Sequence, residues 1–395
     1  RMPLPKRTDL DKTLTIDMGQ EPGTLKEKLG HDLYKVRNLV VSGKINGDDL
    51  ATLRDMVGCT DNKTPKLANL DLSAAQIVKG GVYMEDYELN IDDYLPDNVF
   101  EFAVSLRSIA VPGTLRSIGY AAFQDTYSLR EVTLNEGLEK IDTWAFASWN
   151  VESYLEKINI PSTVRSFEGT TFASCYKLKD LVFHSDNPYY TFDGKAVYTK
   201  DYGQIVHILP SYAGVLSLPD ACRTVRWSSL RSGKLKGFVG KNVIEIGGHA
   251  FADLWSADYL AFGSKLKRVG IGPFSYARLN RLYLGCHDIP DGEYVDYVDG
   301  VYSDYWDAYK NVTLYVPRDA VDKFRKHRVW GMAKDVLPIE DTEFAYLADT
   351  ELDAVNEVET SSTAMPHSIY SPTGVKLNRP IKGLNIVDGK KVMVK

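Results

Sequence analysis

Cysteine is scarce in this chain. Four occur in 395 residues, Cys59, Cys175, Cys222 and Cys286, far apart and with no C-x-x-C pair. That spacing argues against both a zinc site and a disulfide scaffold, and buried free thiols are the expected state of Cys175 and Cys222. Long apolar runs are missing as well: no stretch of 18 apolar residues exists, so no membrane-spanning helix is expected. The chain opens at Arg1 without a cleavable hydrophobic segment, so the signal peptide of an exported form is expected to have preceded it. Nor is there a large excess of one charge. The 47 Lys and Arg against 53 Asp and Glu leave a net charge of −6, with 44% hydrophobic and 25% charged residues. That balance excludes a basic polyanion binder, and nucleic acid is not an expected partner.

Motifs that carry chemistry are equally absent. The seven histidines are scattered, and no pair has the i, i+4 spacing with an intervening glutamate that a metalloprotease uses. His249 falls at the same repeat position as Ala121, Trp144, Thr170 and Gly272, so it reads as a variable structural residue. His287 with Asp288 and Asp291 is the one set with metal-ligand character, and its reading as solvated loop residues is preferred because no calcium-loop spacing surrounds it. There is no G-x-S-x-G, and Gly270-Ile271-Gly272-Pro273 is only half of a dinucleotide fingerprint. No cofactor, no metal and no enzymatic activity are expected.

What is present is a repeat. Between residues 96 and 284 one phrase recurs seven times: two closely spaced apolar clusters followed by an aromatic. Phe100, Phe123 and Phe146 are each 23 residues apart, Phe172 follows after 26, and Phe251 and Phe274 resume the 23-residue step. A period of roughly 20 to 30 residues with leucines at i, i+3 and i+5 is the signature of a leucine-rich repeat, whose units bury their apolar edges only by stacking. The expected fold is an α/β repeat: a right-handed leucine-rich-repeat solenoid of short strands, turns and a few helices, with a small all-β module at its C-terminus. Leu216, Leu218, Pro219, Cys222, Val225 and Leu230 continue the phrase where the aromatic is lost. Prolines at 112, 161, 219 and 317 each follow a first strand and mark corners where the chain leaves the sheet.

The organisation follows from these signals. Residues 1–22 read as a mobile lead-in, and 23–340 as the solenoid. Within it, helix-type repeats occupy 23–95, with helices over 23–30 and 48–58, and the shorter repeats occupy 96–284. Insertions fall near 184–214 and 286–310, and a capping strand and helix fill 312–340, with Val321, Phe324 and Trp330 against the end of the stack. The first insertion has the form of a hairpin, with apolar runs at 195–198 and 205–209 around a turn at Asp201 to Gly203. Residues 341–365 read as an acidic linker, and 366–395 as a basic module of two hairpins, the second turning at Asp388-Gly389.

The phrases LRSIAVP…LRSIGYAAF, LEKINIPSTVRSFEGTTF (155–172) and VIEIGGHAF (243–251) resemble the BspA-like leucine-rich repeat proteins, surface and secreted proteins of host-associated anaerobic bacteria. The resemblance covers about residues 23–340. The segments KAVYTKDYGQIVHILP and LYVPRDAVDKF…WG are similar to companions of that family's repeats, and the tail 369–395 is similar to C-terminal modules linked to secretion or surface attachment. What the resemblance implies is a secreted or cell-surface protein that attaches to host proteins, other bacteria or surface glycans.

Alternation along the strands places Val132 and Leu134 inward and Glu131 and Thr133 outward, with equivalent outward pairs in the other repeats. From these the candidate ligand contacts on the sheet face are Glu131, Lys157, Asp180, Tyr259, Arg281 and Tyr283. The chain holds 24 tyrosines, many of them in the insertions, and these supply Tyr189, Tyr190, Tyr297, Tyr305 and Trp306 as further contacts. The alternative is that such rings staple the loops to the solenoid. The expected function is adhesion or binding of a protein or glycan. A structural spacer of the envelope is the second reading, and a cryptic glycan-acting enzyme using Asp291 with Glu293, or Asp296 with Asp299, is the third.

Overall fold

The computed structural model describes residues 12–60, 64–231, 233–255, 257–292 and 310–348, and the strands between 369 and 394. Residues 1–347 form one compact unit and 348–395 a second.

In the first unit each repeat contributes one strand to each of two parallel faces. On the front face, strands Thr13–Asp17, Asn38–Ile45, Asn69–Asp71, Ser108–Ala110 and Glu131–Thr133 pair in sequence, and Lys157–Ile160 then pairs with Asp180–Phe183. The same face resumes with Val215–Ser217 and runs through Gly237–Gly240, Tyr259–Phe262, Arg281–Leu284 and Thr313–Val316 to Asp335–Pro338. The back face is built of two-residue strands such as Ser117–Ile118, Lys140–Ile141 and Ser166–Phe167. Two differences from the sequence reading stand out at the ends. Thr13–Asp17, expected as mobile lead-in, is the first strand of the front sheet, in register with Asn38–Ser42. Thr313–Val316 is not the last strand of the front sheet, because Asp335–Pro338 pairs beside it.

The corner prolines sit where expected. Pro112, Pro161, Pro219 and Pro317 each present a carbonyl to the N–H three residues on, those of Leu115, Val164, Cys222 and Ala320. A residue with no N–H to offer the ladder thus closes the turn through its oxygen. Behind the back face the phenylalanines form a column: ring centroids lie 5.6 Å apart for Phe100–Phe123, 5.1 Å for Phe123–Phe146 and 5.3 Å for Phe146–Phe172. Each such pair adds about 0.5–1.5 kcal/mol beyond the area it buries.

Helix Gly47–Val57 follows the second strand. Asn46 caps it by accepting from Asp48 N and Asp49 N, while Asp49 accepts from Asn46 N and from Gly23 N and Leu25 N of the preceding segment. Gly58, at φ +84°, ends it in the left-handed region, where a side chain is strained. At the far end the cap is shorter than the sequence pattern suggests. Helix Val321–Lys326 and the turn Trp330–Met332 bury Val321, Phe324 and Trp330.

The hairpin at 184–214 decides the interior. Ala196–Thr199 and Gln204–Ile208 are antiparallel, and the second pairs in parallel with Thr224–Val225, so the insertion is stitched into the back sheet. It divides the interior in two. Val197, Val206 and Leu209 pack into the N-terminal core, and Ala196, Tyr198, Ile205 and Ile208 into the C-terminal one. Apolar residues on both faces of one hairpin are what a strand buried on both sides requires. Tyr190, a candidate contact, is buried, as is Tyr198 on the hairpin itself, in keeping with rings that staple the insertion to the solenoid.

In the second unit the strands Ile369–Tyr370, Lys376–Leu377, Gly383–Val387 and Lys390–Val394 form an antiparallel sheet.

Candidate ligand-binding face

Alternation on the front strands sets two ladders of outward side chains. In the first, backbone register aligns Asn38, Asn69, Ser108 and Glu131, and separately Lys157 with Asp180. Their side chains connect: Asn69 Nδ2 donates to Asn38 Oδ1 at 2.6 Å, and Ser108 Oγ donates to Asn69 Oδ1 at 2.7 Å. Lys157 Nζ lies 3.4 Å from Asp180 Oδ2. A shallow cleft of about 340 Å³ opens over this ladder, lined by Thr13, Asn38, Asn69, Asp71, Ser108 and Glu131 among others. Glu131 and Lys157 are exposed and Asp180 partly so, and the ladder from Asn38 to Asp180 is polar throughout. At one edge Asp17 accepts from Gly19 N and Ser42 Oγ, bonds that hold its carboxyl below the usual carboxylate range.

The C-terminal part of the same face is different. Tyr259, Arg281 and Thr313 align, as do Ala261, Tyr283 and Tyr315, but the chain returns over them. Phe344 lies with its ring centroid 5.0 Å from Tyr259 and 4.5 Å from Tyr283, and Tyr283 stacks on Tyr315 at 4.7 Å. Arg281 pairs with Asp258 and reaches Glu343 Oε1 at 3.6 Å. Tyr283 is 1% exposed, and burial pushes its phenol up. It is therefore removed from the list of surface contacts, and Tyr259 and Arg281 are only partly accessible. Residues 341–347, expected to begin a linker, include this covering segment.

The insertion residues fare as follows. Tyr190 is buried, its hydroxyl donating to Arg165 O at 3.1 Å, so it fastens the loop to the stack. Tyr189 beside it is exposed, its N–H held by Asn187 Oδ1. Tyr297, Tyr305 and Trp306 lie outside the described residues, as do Glu293, Asp296 and Asp299. Asp291 is placed: Asp291–Gly292 adds a rung to the back sheet. His287 meets Asp319 at 2.9 Å, and Asp288 meets Lys323 at 2.6 Å, so these residues tie the second insertion to the cap. Among the described residues no three His, Cys, Asp or Glu side chains come together as a metal site.

One concavity escaped the sequence reading. A groove of about 580 Å³ is lined by Trp149, Tyr176, Lys177, Arg231, Lys234 and Trp255, with Glu152 and Asp253 beside them. Its signal was the 26-residue step from Phe146 to Phe172: the three extra residues lengthen the turn that forms one wall.

Residues 93–202 match the family described as BspA type leucine-rich repeat region, in six copies. Among solved structures, the chain is similar to a leucine-rich cell surface protein from Faecalibacterium prausnitzii, with 14% identity, 86% of this chain and 91% of that chain covered, and a TM-score of 0.47. A leucine-rich repeat protein from Bacteroides ovatus aligns at 15% identity over 83% of this chain and 81% of its own, with a TM-score of 0.40. The pneumococcal vaccine antigen PcpA aligns at 17% identity over 78% and 80%, with a TM-score of 0.40. No curated protein matches. The matched segment spans the stacked rungs that carry Phe100, Phe123, Phe146 and Phe172, and over these residues the chain carries leucine-rich repeats of the BspA type.

Proposed function

We propose that this protein is exported to the bacterial surface or its surroundings and binds a protein partner, on a host or another bacterium, through the N-terminal part of its front sheet. One observation carries the reading: in the polar ladder Asn38, Asn69, Ser108, Glu131, Lys157 and Asp180 the charged pair Glu131 and Lys157 is exposed, while Tyr259 and Tyr283 farther along the same face lie beneath Phe344. A row of polar, mixed-charge side chains on a sheet suits the broad contact of a protein interface, where charge pairs set register and specificity. The repeat family, whose members are surface proteins, supports export.

The test uses the full chain immobilised against a panel of extracellular matrix proteins and bacterial surface proteins. The wild type is expected to bind at least one of them, and Glu131→Lys with Lys157→Glu to weaken that binding about tenfold, a loss of about 1.4 kcal/mol. Because both side chains are exposed, thermal stability is expected to hold within about 0.5 kcal/mol. Binding unaffected by the double substitution, or no protein bound by the wild type, overturns the reading.

A further inference from the structure

Where the hairpin is stitched into the back sheet, none of its residues lines the groove beside it. The turns at 148–153 and 174–177 on one side, and Arg231, Lys234, Asp253 and Trp255 on the other, therefore face each other across an open gap. The groove so made has two properties. It is aromatic: Trp255 is 62% exposed, Tyr176 is 39% exposed, and Trp149 stands in the wall with its Nε1–H unpaired among the described groups. Cations are also set on those rings. The Arg231 guanidinium lies 5.2 Å over Trp149, Lys234 Nζ 4.2 Å over Tyr176, and the Arg278 guanidinium 5.1 Å over Trp255.

The charges do not cancel. Arg231 pairs with Asp253 at 2.9 Å and Lys177 with Glu152 at 2.9 Å. Lys234 makes no ion pair among the described residues, so three cations face two carboxylates in the lining of a chain whose net charge is −6. Local excess of positive charge in a concave, ring-lined site selects an anionic ligand.

The backbone of the groove decides the class. Its longest wall is a turn whose first N–H groups are already taken: Trp149 N and Asn150 N donate to Asp125 Oδ1, and Ser148 N to Ala173 O. No strand edge is offered, so an acidic peptide has no main-chain ladder to join. Flat ring faces flanked by planar Arg, Asn and carboxylate groups serve instead a pyranose ring, whose C–H face stacks while its hydroxyls hydrogen-bond. From this we infer that the groove binds a glycan carrying a carboxylate or sulfate, with Trp255 as stacking platform and Lys234 as partner of the anionic group. The site is separate from the front-sheet face.

Calorimetric titration of the full chain tests this with sialyllactose, tetragalacturonate and a sulfated disaccharide, each against its neutral or desulfated counterpart, and with a poly-glutamate peptide. At least one acidic sugar is expected to bind, with its neutral counterpart weaker by about tenfold or more. Trp255→Ala and Lys234→Gln are each expected to weaken it similarly without a shift in melting temperature, since both side chains lie at the surface. The variant Glu131→Lys with Lys157→Glu is expected to bind the sugar as the wild type does. No binding of any acidic sugar, equal binding of the neutral counterpart, indifference to both groove substitutions, or preference for the peptide overturns the inference.

Discussion

Phe344 lies over the front sheet with its ring centroid 4.5 Å from that of Tyr283, at an angle of 46°. The two residues come from segments far apart in the chain, and their contact turns an outward sheet position into an interior one. It follows that the solenoid presents only part of its front face.

Phe344→Ala tests this cover directly. Phe344 is 7% exposed, and truncating a ring so enclosed removes about 3 kcal/mol of packing. Because the covering segment is a short end of the unit, the loss is expected to show as local opening, with faster amide exchange over 339–347 and little change at Phe100 or Phe123. Unchanged exchange at Tyr283 would mean that Phe344 does not seal the face.

A second prediction concerns His207, on the hairpin that divides the cores. Its Nδ1 lies 2.7 Å from Gly169 O, its ring packs beside Phe167 and Phe172, and it is fully enclosed. Burial pushes the imidazole down from 6.5 to about 4, so it stays neutral in the fold with Nδ1–H donating to Gly169. Between those values the unfolded chain binds a proton that the folded one refuses, so stability falls as pH drops from about 6.5 to about 4. The loss is on the order of 3 kcal/mol. Urea unfolding of the wild type and of His207→Phe at several pH values checks it, since the variant is expected to lose this component of the pH dependence. An identical pH dependence in both proteins would rule out His207 as its source.

Asp125 anchors the groove wall. It is fully buried, and its carboxylate accepts from Trp149 N at 2.6 Å, Asn150 N at 2.9 Å and Asn150 Nδ2 at 2.7 Å. Asp125→Ala leaves those donors unmatched, at a cost of about 2–4 kcal/mol in the unfolding free energy obtained from denaturant titration. A loss below about 1 kcal/mol would show that the turn at 148–151 stands without it.

The cysteines give a fourth test. Cys175, Cys222 and Cys286 are buried free thiols, and burial pushes Cys59, Cys175 and Cys286 up to about 12 and Cys222 to about 11. Since the thiolate is the reactive form, a thiol reagent at about pH 8 is expected to label none of the four in the native protein and all four in denaturant. Rapid native labelling of two or more would contradict the enclosed state.

Much of the fold was legible because its signals are local. The step between Phe123 and Phe146 placed the aromatic column, and alternation around Val132 gave the inward and outward sides of each front strand. The proline after each first strand marked a corner because a residue without an N–H must leave the ladder. The hairpin's turn at Asp201 to Gly203 could be read for the same reason. Its destination could not, because apolar residues on both strands fit a loop folded onto the surface as well as a partition between two cores. His249, read from the sequence as a variable repeat position, shares with Ala121 and Trp144 a backbone at positive φ.

The sequence by itself determined the repeat: which residues face the core, where the chain turns, and that no metal or nucleophile motif interrupts it. Periodicity does this because a strand residue's direction is set by its own neighbours. Tertiary structure decided which of the outward residues meet solvent. Tyr283 and Glu131 carry the same local signal, yet one lies beneath Phe344 and the other is open, and the groove between Trp149 and Trp255 is walled by turns that lie on either side of the hairpin in the chain. Exposure depends on what else the chain folds over a position, and no local pattern encodes that.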